Sequence, residues 1–319
     1  MEYCEFLNWI QNETKPTAGK GGKVTINHII KNNGRELDGL VIMEAESKVS
    51  PTIYLNEFYE QYIDGRELTE ILEEIELIYK ENRNRIHISA DFFHDYSNIQ
   101  NTIVYRIVNY DQNQKLLENI PHKRFLDLAV IYYCLLEQKD EGNATALIYN
   151  NHIEMWGVTE DDIFQAAVRN TPLLLKSIIR PMSELFNHMN PFEESNMFCD
   201  RVLSEECTEK SKLDFNHEEW SEEAEDAQLY VLTNCSKIHG ASCMLYDDVL
   251  KTFADQIGRD LYILPSSIHE VILLPKLSCF DRNILDCMVK EVNCDGVSRD
   301  EILSDHVYEY NRKSGMIEM

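Results

Sequence analysis

The residues with the clearest potential for chemistry in this chain are Ser267, His269 and Glu270, within the tetrapeptide Ser-Ile-His-Glu. Side chains two apart on a β-strand point to the same face, so in a strand the hydroxyl of Ser267 and the imidazole of His269 would be neighbours. A histidine next to a serine can act as the general base that turns the hydroxyl into a nucleophile. These three residues are therefore the candidate catalytic group if the chain is a hydrolase-like enzyme.

This catalytic hypothesis is incomplete, because a histidine that activates a serine is normally oriented by a third group. On the same strand Glu270 would face away from His269, so a distant acid would have to orient the imidazole. The chain also lacks the G-x-S-x-G nucleophile elbow. The structural alternative is that His269 caps the turn after Pro265, with the hydroxyls of Ser266 and Ser267 bonded to nearby backbone.

No motif in the sequence indicates a metal ion or a cofactor. His269-Glu270 begins like the zinc motif H-E-x-x-H, but Leu273 occupies the position of the second histidine. The nine cysteines include no C-x-x-C pair, which structural zinc sites commonly use. The glycine-rich segment 19–22 lacks the spacing of a phosphate-binding loop. We expect neither a metal nor a cofactor.

The charge of the chain restricts the classes of partner. It has 56 acidic and 30 basic residues and a net charge of −26. Nucleic acids are bound by clustered lysine and arginine, and an anionic membrane surface repels an acidic protein, so we expect neither partner. No apolar run is long enough to span a membrane, and the amino terminus lacks the features of a secretion signal. The charge fits a cytoplasmic protein with a basic or neutral protein partner, or one whose acidic surface simply confers good solubility.

The cysteines also indicate a cytoplasmic location. Their number is odd and most lie in apolar runs, as expected for free thiols under reducing conditions. Cys134, Cys243 and Cys287 are predicted to be inert core thiols, because a reactive cysteine needs a lowered pKa and access to solvent.

The elements that would position the candidate site are predicted from the stretch Leu229–Pro275. Apolar runs bounded by turn residues predict strands, and apolar residues at helical spacing predict a helix. The predicted order is a hairpin followed by a helix and two more strands, namely Leu229–Thr233 with Ala241–Tyr246, then Val249–Ile257, then Leu261–Leu264 and Val271–Leu274.

An earlier stretch resembles this arrangement. The apolar run Leu128–Leu136 precedes Ala144–Tyr149, which parallels Ala241–Tyr246, and a helix with a capping box from Thr159 to Asp162 follows. Two related strand-hairpin-helix units are one interpretation, and two unrelated hairpins in one sheet are the other.

Helical and alternating apolar patterns define the remaining elements. They predict helices at Glu57–Ile63, Glu67–Arg83, Asn98–Asn119 and Arg282–Val292, a helix start at Ser298–Glu301, strands at Val24–Ile30 and Leu40–Met43 joined by an Asn-Gly turn, and an edge strand at Val307–Asn311. The fold class is therefore α+β, with mixed or antiparallel sheets covered by helices.

Residues 193–226 differ from the rest of the chain, with thirteen acidic and three basic residues and no steady apolar period. We predict that they form an acidic, partly ordered connection between an N-terminal α+β lobe (1–192) and a C-terminal α+β lobe (227–319).

Distinctive motifs occur along most of the chain: Leu37–Leu40, Pro51–Asn56 with Phe58-Tyr59, Arg124–Ala129, Met155–Gly157, Asn170–Pro172, Tyr230–Asn234, Gly240-Ala241, Leu261–Leu273 and Tyr308–Arg312. In these motifs the chain resembles an uncharacterised bacterial family known only as a domain of unknown function. The resemblance implies one family-wide unit rather than a fusion, and it implies no activity, cofactor or catalytic residue. The sequence therefore predicts a non-enzymatic regulatory or protein-interaction protein, with a hydrolase-like enzyme that uses His269 with Ser267 or a distant acid as the alternative.

Overall fold

The structure, a computed structural model, describes residues 1–45, 50–83, 93–139, 142–187 and 228–319. Within these ranges the strands form three sheets with antiparallel pairing, and helices pack against them. The predicted α+β class is confirmed.

The strands are β1 Lys23–Ile30, β2 Glu36–Met43, β3 Thr52–Tyr54, β4 Ile103–Asn109, β5 His122–Phe125, β6 Leu128–Lys139, β7 Gly142–Leu147, β8 Ser177–Pro181, β9 Tyr230–Asn234, β10 Leu261–Pro265, β11 Val271–Pro275, β12 Tyr308–Asn311 and β13 Met316–Glu318. The α-helices are α1 Tyr3–Glu13, α2 Asn56–Ile63, α3 Leu68–Asn82, α4 Tyr96–Ile99, α5 Gln114–Leu117, α6 Asn150–Trp156, α7 Glu160–Leu174, α8 Met182–Asn187, α9 Val249–Ile257 and α10 Arg282–Asp295.

The first sheet has the order β1-β2-β3 and shares a core with helices α1, α2 and α3. The β1–β2 connection confirms the predicted Asn-Gly turn, since Asn33 and Gly34 both have the positive φ values, 54° and 69°, that this turn requires. The side chain of Asn33 is buried and pairs with the amide of Asn113, which ties this turn to the next sheet.

The other two sheets share the main core. One contains β4, β6 and β5 in that order, with β7 also paired to β6, and the other has the order β13-β12-β10-β11-β9-β8. Buried residues of both sheets, with α7 and α9, form a single apolar cluster.

Sheet pairing crosses the predicted lobe boundary. Strand β8, before residue 193, pairs with β9, after residue 226, from Ser177 opposite Asn234 to Pro181 opposite Tyr230. The predicted acidic connection, 193–226, lies outside the described residues.

The predicted second strand of the Leu229–Pro275 stretch is wrong. Gly240–Leu245 is a short 3-10 helix, so among the described residues the predicted strand-hairpin-helix unit is present in β6, β7 and α7 and is not repeated in the Leu229–Pro275 stretch. Gly240–Met244 are buried at every position. When every residue of a short segment is buried, its apolar residues show no period that would distinguish a strand from a helix.

The predicted helix Asn98–Asn119 is also wrong, because β4 occupies its middle between the short helices α4 and α5. Strand β4 is buried on both faces, so its apolar residues imitate a helical period. The predicted helix start at Ser298–Glu301 is a turn, and β12 is an inner strand between β10 and β13 rather than an edge. The helices predicted at 57–63, 67–83 and 282–292 are present.

Candidate functional site

The tetrapeptide 267–270 forms the turn between β10 and β11, so its predicted placement on a strand is wrong. The backbone N–H of Ser267 donates to the carbonyl of Glu270 (3.2 Å), and the N–H of His269 donates to the Ser267 Oγ (3.0 Å). Ser267 is completely buried. Its hydroxyl oxygen therefore stabilises the turn by accepting a backbone hydrogen bond, as short polar side chains commonly do.

The imidazole of His269 is held by a different backbone group. Its Nδ1 lies 3.1 Å from the backbone nitrogen of His239. Because a backbone N–H can only donate, Nδ1 is the acceptor, and the neutral imidazole carries its proton on Nε2. The nitrogen with the lone pair is thus already occupied, and the structure does not join Ser267 to the ring of His269.

Among the described residues, the acid within 4 Å of the ring nitrogens of this imidazole is Glu301 rather than Glu270. Glu301 Oε1 lies 3.8 Å from His269 Nε2, which is too long for a hydrogen bond and would form an ion pair only with a protonated imidazole. The loop that carries Glu301 is fixed by the bond from the Ile268 N–H to the Glu301 carbonyl (2.8 Å). Burial raises the pKa of Glu270, and the positive charge of Lys237 opposes that effect.

His239 is the second histidine of the site, and its ring stacks on His269 with centroids 5.5 Å apart and 12° between planes. Arg106 Nη1 donates to His239 Nε2 at 2.8 Å. Since a guanidinium can only donate, Nε2 is the acceptor and Nδ1 carries the proton. Burial lowers the pKa of His239 well below its ordinary value, and the positive charge of Arg106 lowers it further. His239 is therefore neutral.

Arg106 comes from strand β4, where it lies between Val104 and Val108 on the same face. Its guanidinium lies 5.8 Å from the ring centre of Tyr133, within the range of a cation–π contact. Arg106 Nε and His239 Nδ1 are both sealed from solvent and have no hydrogen-bond partner among the described residues. Burial lowers the pKa of Arg106.

Gly240 allows the His239 loop to approach the β10–β11 turn. A Cβ at this position would lie 2.2 Å from Thr233 Oγ1 and 2.5 Å from the carbonyl oxygen of His269. These two oxygens are joined by a hydrogen bond of 2.9 Å, donated by Thr233. Only glycine fits against this bonded pair.

Sequence reasoning located His269 but missed Arg106, His239 and Glu301. The sequence does contain a signal for Arg106, because it is the lone charged residue in the apolar run Ile103–Val108. The prediction of an amphipathic helix there allowed Arg106 to be placed on a solvated face, so it was not recognised as a buried charge. His239 and Glu301 reach the site only through tertiary contacts.

Of the three cysteines predicted to be core thiols, two are buried and one is exposed. Cys134 and Cys243 are buried, which confirms them as core thiols, and burial raises the pKa of each thiol to about 12. Cys287 is exposed, so its prediction as a core thiol is wrong.

Among the described residues, no group of three or more His, Cys, Asp or Glu side chains could hold a metal ion.

The fold and this site define an α+β protein in which two histidines, an arginine and a glutamate from four separate segments meet at a β-turn. The chain belongs to a family of unknown function, DUF5688, whose model matches residues 3–312. No curated protein and no solved structure matches the chain. Across the described ranges, no helix combines the length and apolarity needed to cross a membrane.

Proposed function

We propose that this protein acts by binding other proteins, as a non-enzymatic regulatory or interaction protein. One observation carries the proposal: the lone pair of His269 is taken by the His239 N–H, and the Ser267 hydroxyl accepts from the His269 N–H. A general base needs a free lone pair within reach of the proton that it removes. The proposed catalytic residues are thus engaged in holding a turn.

The partner class follows from charge. A net charge of −26 favours a basic or neutral protein partner and disfavours nucleic acid and anionic membranes. We place the protein in the bacterial cytoplasm, where the reducing environment keeps the thiols of Cys134 and Cys243 free.

The outer face of α3 is the surface that best fits such a partner. Leu77 is 55% exposed on this face, and the exposed Glu70, Glu73 and Glu81 lie at helical spacing around it. Ile63, at the end of the adjacent helix α2, is 61% exposed. The proposed partner is therefore a basic protein segment with an apolar side chain that covers Leu77.

The test compares tagged wild-type protein with Leu77→Ser and with Leu173→Ser, a matched control because Leu173 is 68% exposed on α7. Binding of a basic protein should be lost in Leu77→Ser, kept in Leu173→Ser, and weakened by salt, which screens surface charges. Equal binding by both variants would refute the role of the α3 surface. Failure to recover a specific protein partner at modest salt would count against the proposed binding function.

A second candidate function is a hydrolase-like enzyme that uses His269 with a distant acid, and the 3.8 Å approach of Glu301 to His269 favours it. The test is hydrolysis of p-nitrophenyl acetate by wild type, His269→Gln and Glu301→Gln, together with labelling by a fluorophosphonate. This function requires that both substitutions abolish turnover, whereas the binding proposal predicts equal background rates and no label on Ser267.

A further inference from the structure

The guanidinium of Arg106 is incompletely bonded. Its single hydrogen bond to the described residues runs from Nη1 to His239, while Nε is sealed from solvent and has no acceptor. No Asp or Glu contributes to the electrostatic surroundings of this group, in which burial opposes the charge and the Tyr133 phenol favours it. A positive charge is therefore held inside the protein without a counter-ion among the described side chains.

Such an arrangement is costly. Burial of a cation is tolerated when the cation is paired, and a buried N–H donor without an acceptor costs free energy comparable to a lost hydrogen bond. The bond to His239 and the Tyr133 ring offset only part of this cost, because both partners are neutral. An anion at Arg106 would supply both the missing charge and the missing acceptor.

The geometry also selects the kind of anion. With Nη1 bound to His239, the donors left on the guanidinium of Arg106 include Nε and Nη2, which share one edge of its plane. Two parallel N–H donors of this kind match the two oxygens of a carboxylate or of a phosphate group. A lysine ammonium would not make this two-point contact.

His239 supports the site as a neutral neighbour. Its Nδ1–H is a second donor that is sealed from solvent and has no acceptor in the part of the chain that the structure describes. Other atoms of Arg106 and His239 keep some exposure to solvent, so the cluster lies close to the surface rather than in the centre of the core.

We propose that the Nε–Nη2 edge of Arg106 is a binding site for the carboxylate or phosphate group of a small anionic ligand. This site is separate from the α3 surface, so either proposal can fail without the other.

The first experiment is a titration of wild-type protein with sodium phosphate and, separately, sodium acetate, each compared with sodium chloride at matched ionic strength. Arginine Nε–H signals are followed in ¹H–¹⁵N spectra, and the Arg106 signal is identified by its absence from Arg106→Lys. Binding predicts a saturable shift of this signal with one of the two oxyanions and none with chloride. The responding oxyanion identifies the ligand group as phosphate or carboxylate.

Thermal unfolding gives the second readout. An oxyanion at about ten times its dissociation constant should raise the melting temperature of wild type by about 2 °C over chloride. Arg106→Lys should lose this increase, and Arg259→Lys, a control at an exposed arginine, should keep it. An Arg106 Nε–H signal that does not respond to either oxyanion would overturn the proposal, as would an increase that persists in Arg106→Lys.

Discussion

Substitution of Gly240 by alanine tests the packing that holds the candidate site together. The added Cβ would lie 2.2 Å from Thr233 Oγ1, 2.5 Å from the His269 carbonyl oxygen and 2.7 Å from the Asn234 backbone nitrogen. Real Cβ contacts are essentially never shorter than 3.0 Å, so the 239–240 loop and the β10–β11 turn must separate.

The size of the effect follows from three terms. Overpacking costs about 1–3 kcal/mol, and loss of the Thr233–His269 hydrogen bond costs about 1 kcal/mol. The smaller conformational freedom of the unfolded Gly240→Ala chain returns about 0.4–1 kcal/mol. We expect a net loss of about 1.5–3 kcal/mol in the free energy of unfolding.

The matched control is Gly296→Ala. Gly296 has a φ of −126°, and the nearest atom to its Cβ, the Val292 carbonyl oxygen, lies at an ordinary 3.4 Å. Urea unfolding followed by tryptophan fluorescence should place this variant within about 0.5 kcal/mol of wild type. Equal stabilities for Gly240→Ala and Gly296→Ala would refute the close approach of loop and turn.

Three further predictions concern the same region. Ser267→Ala should lower the free energy of unfolding by about 1–2 kcal/mol, because it leaves the His269 N–H without its acceptor; unchanged stability in urea would contradict this role. His239 is neutral in the folded protein and takes a proton below pH 6.5 in the unfolded chain. Its contribution to the free energy of unfolding is therefore fully present above pH 6.5 and is lost as the pH falls below that value. Below pH 6.5 the free energy of unfolding should fall more steeply with pH in wild type than in His239→Asn, by at most about 1.4 kcal/mol per pH unit. Equal slopes of the free energy of unfolding against pH, measured by urea titration, would contradict this prediction. Cys287 should react with Ellman's reagent in the native protein and Cys243 only after unfolding, as mass spectrometry of the adducts would show; native labelling of Cys243 would contradict its burial.

The helices were predictable from sequence where one face is buried and the other is solvated. In α3, the buried residues Ile71, Ile75 and Tyr79 recur every four residues, which is a clear helical signal. The same reasoning failed for β4, whose burial on both faces lets its apolar residues imitate a helical period, and for Gly240–Met244, where every residue is buried and no period separates a strand from a helix.

The candidate site was predictable only in part. The sequence located Ser267 and His269, but their roles depend on which backbone groups reach them, and those groups come from a turn and from the loop at His239. Arg106 and Glu301 are far from His269 in sequence and join the cluster through the folding of β4 and of the loop before β12. No local pattern encodes such contacts.

The protonation of the two stacked histidines is the most direct test of the claim that this site is not catalytic. Long-range ¹H–¹⁵N spectra of the imidazole rings, assigned with His269→Gln and His239→Asn, report which nitrogen carries the proton in each ring. The structure predicts the Nε2–H form for His269 and the Nδ1–H form for His239. An Nδ1–H form of His269, with a free lone pair on Nε2, would contradict the account and return this residue to the role of general base.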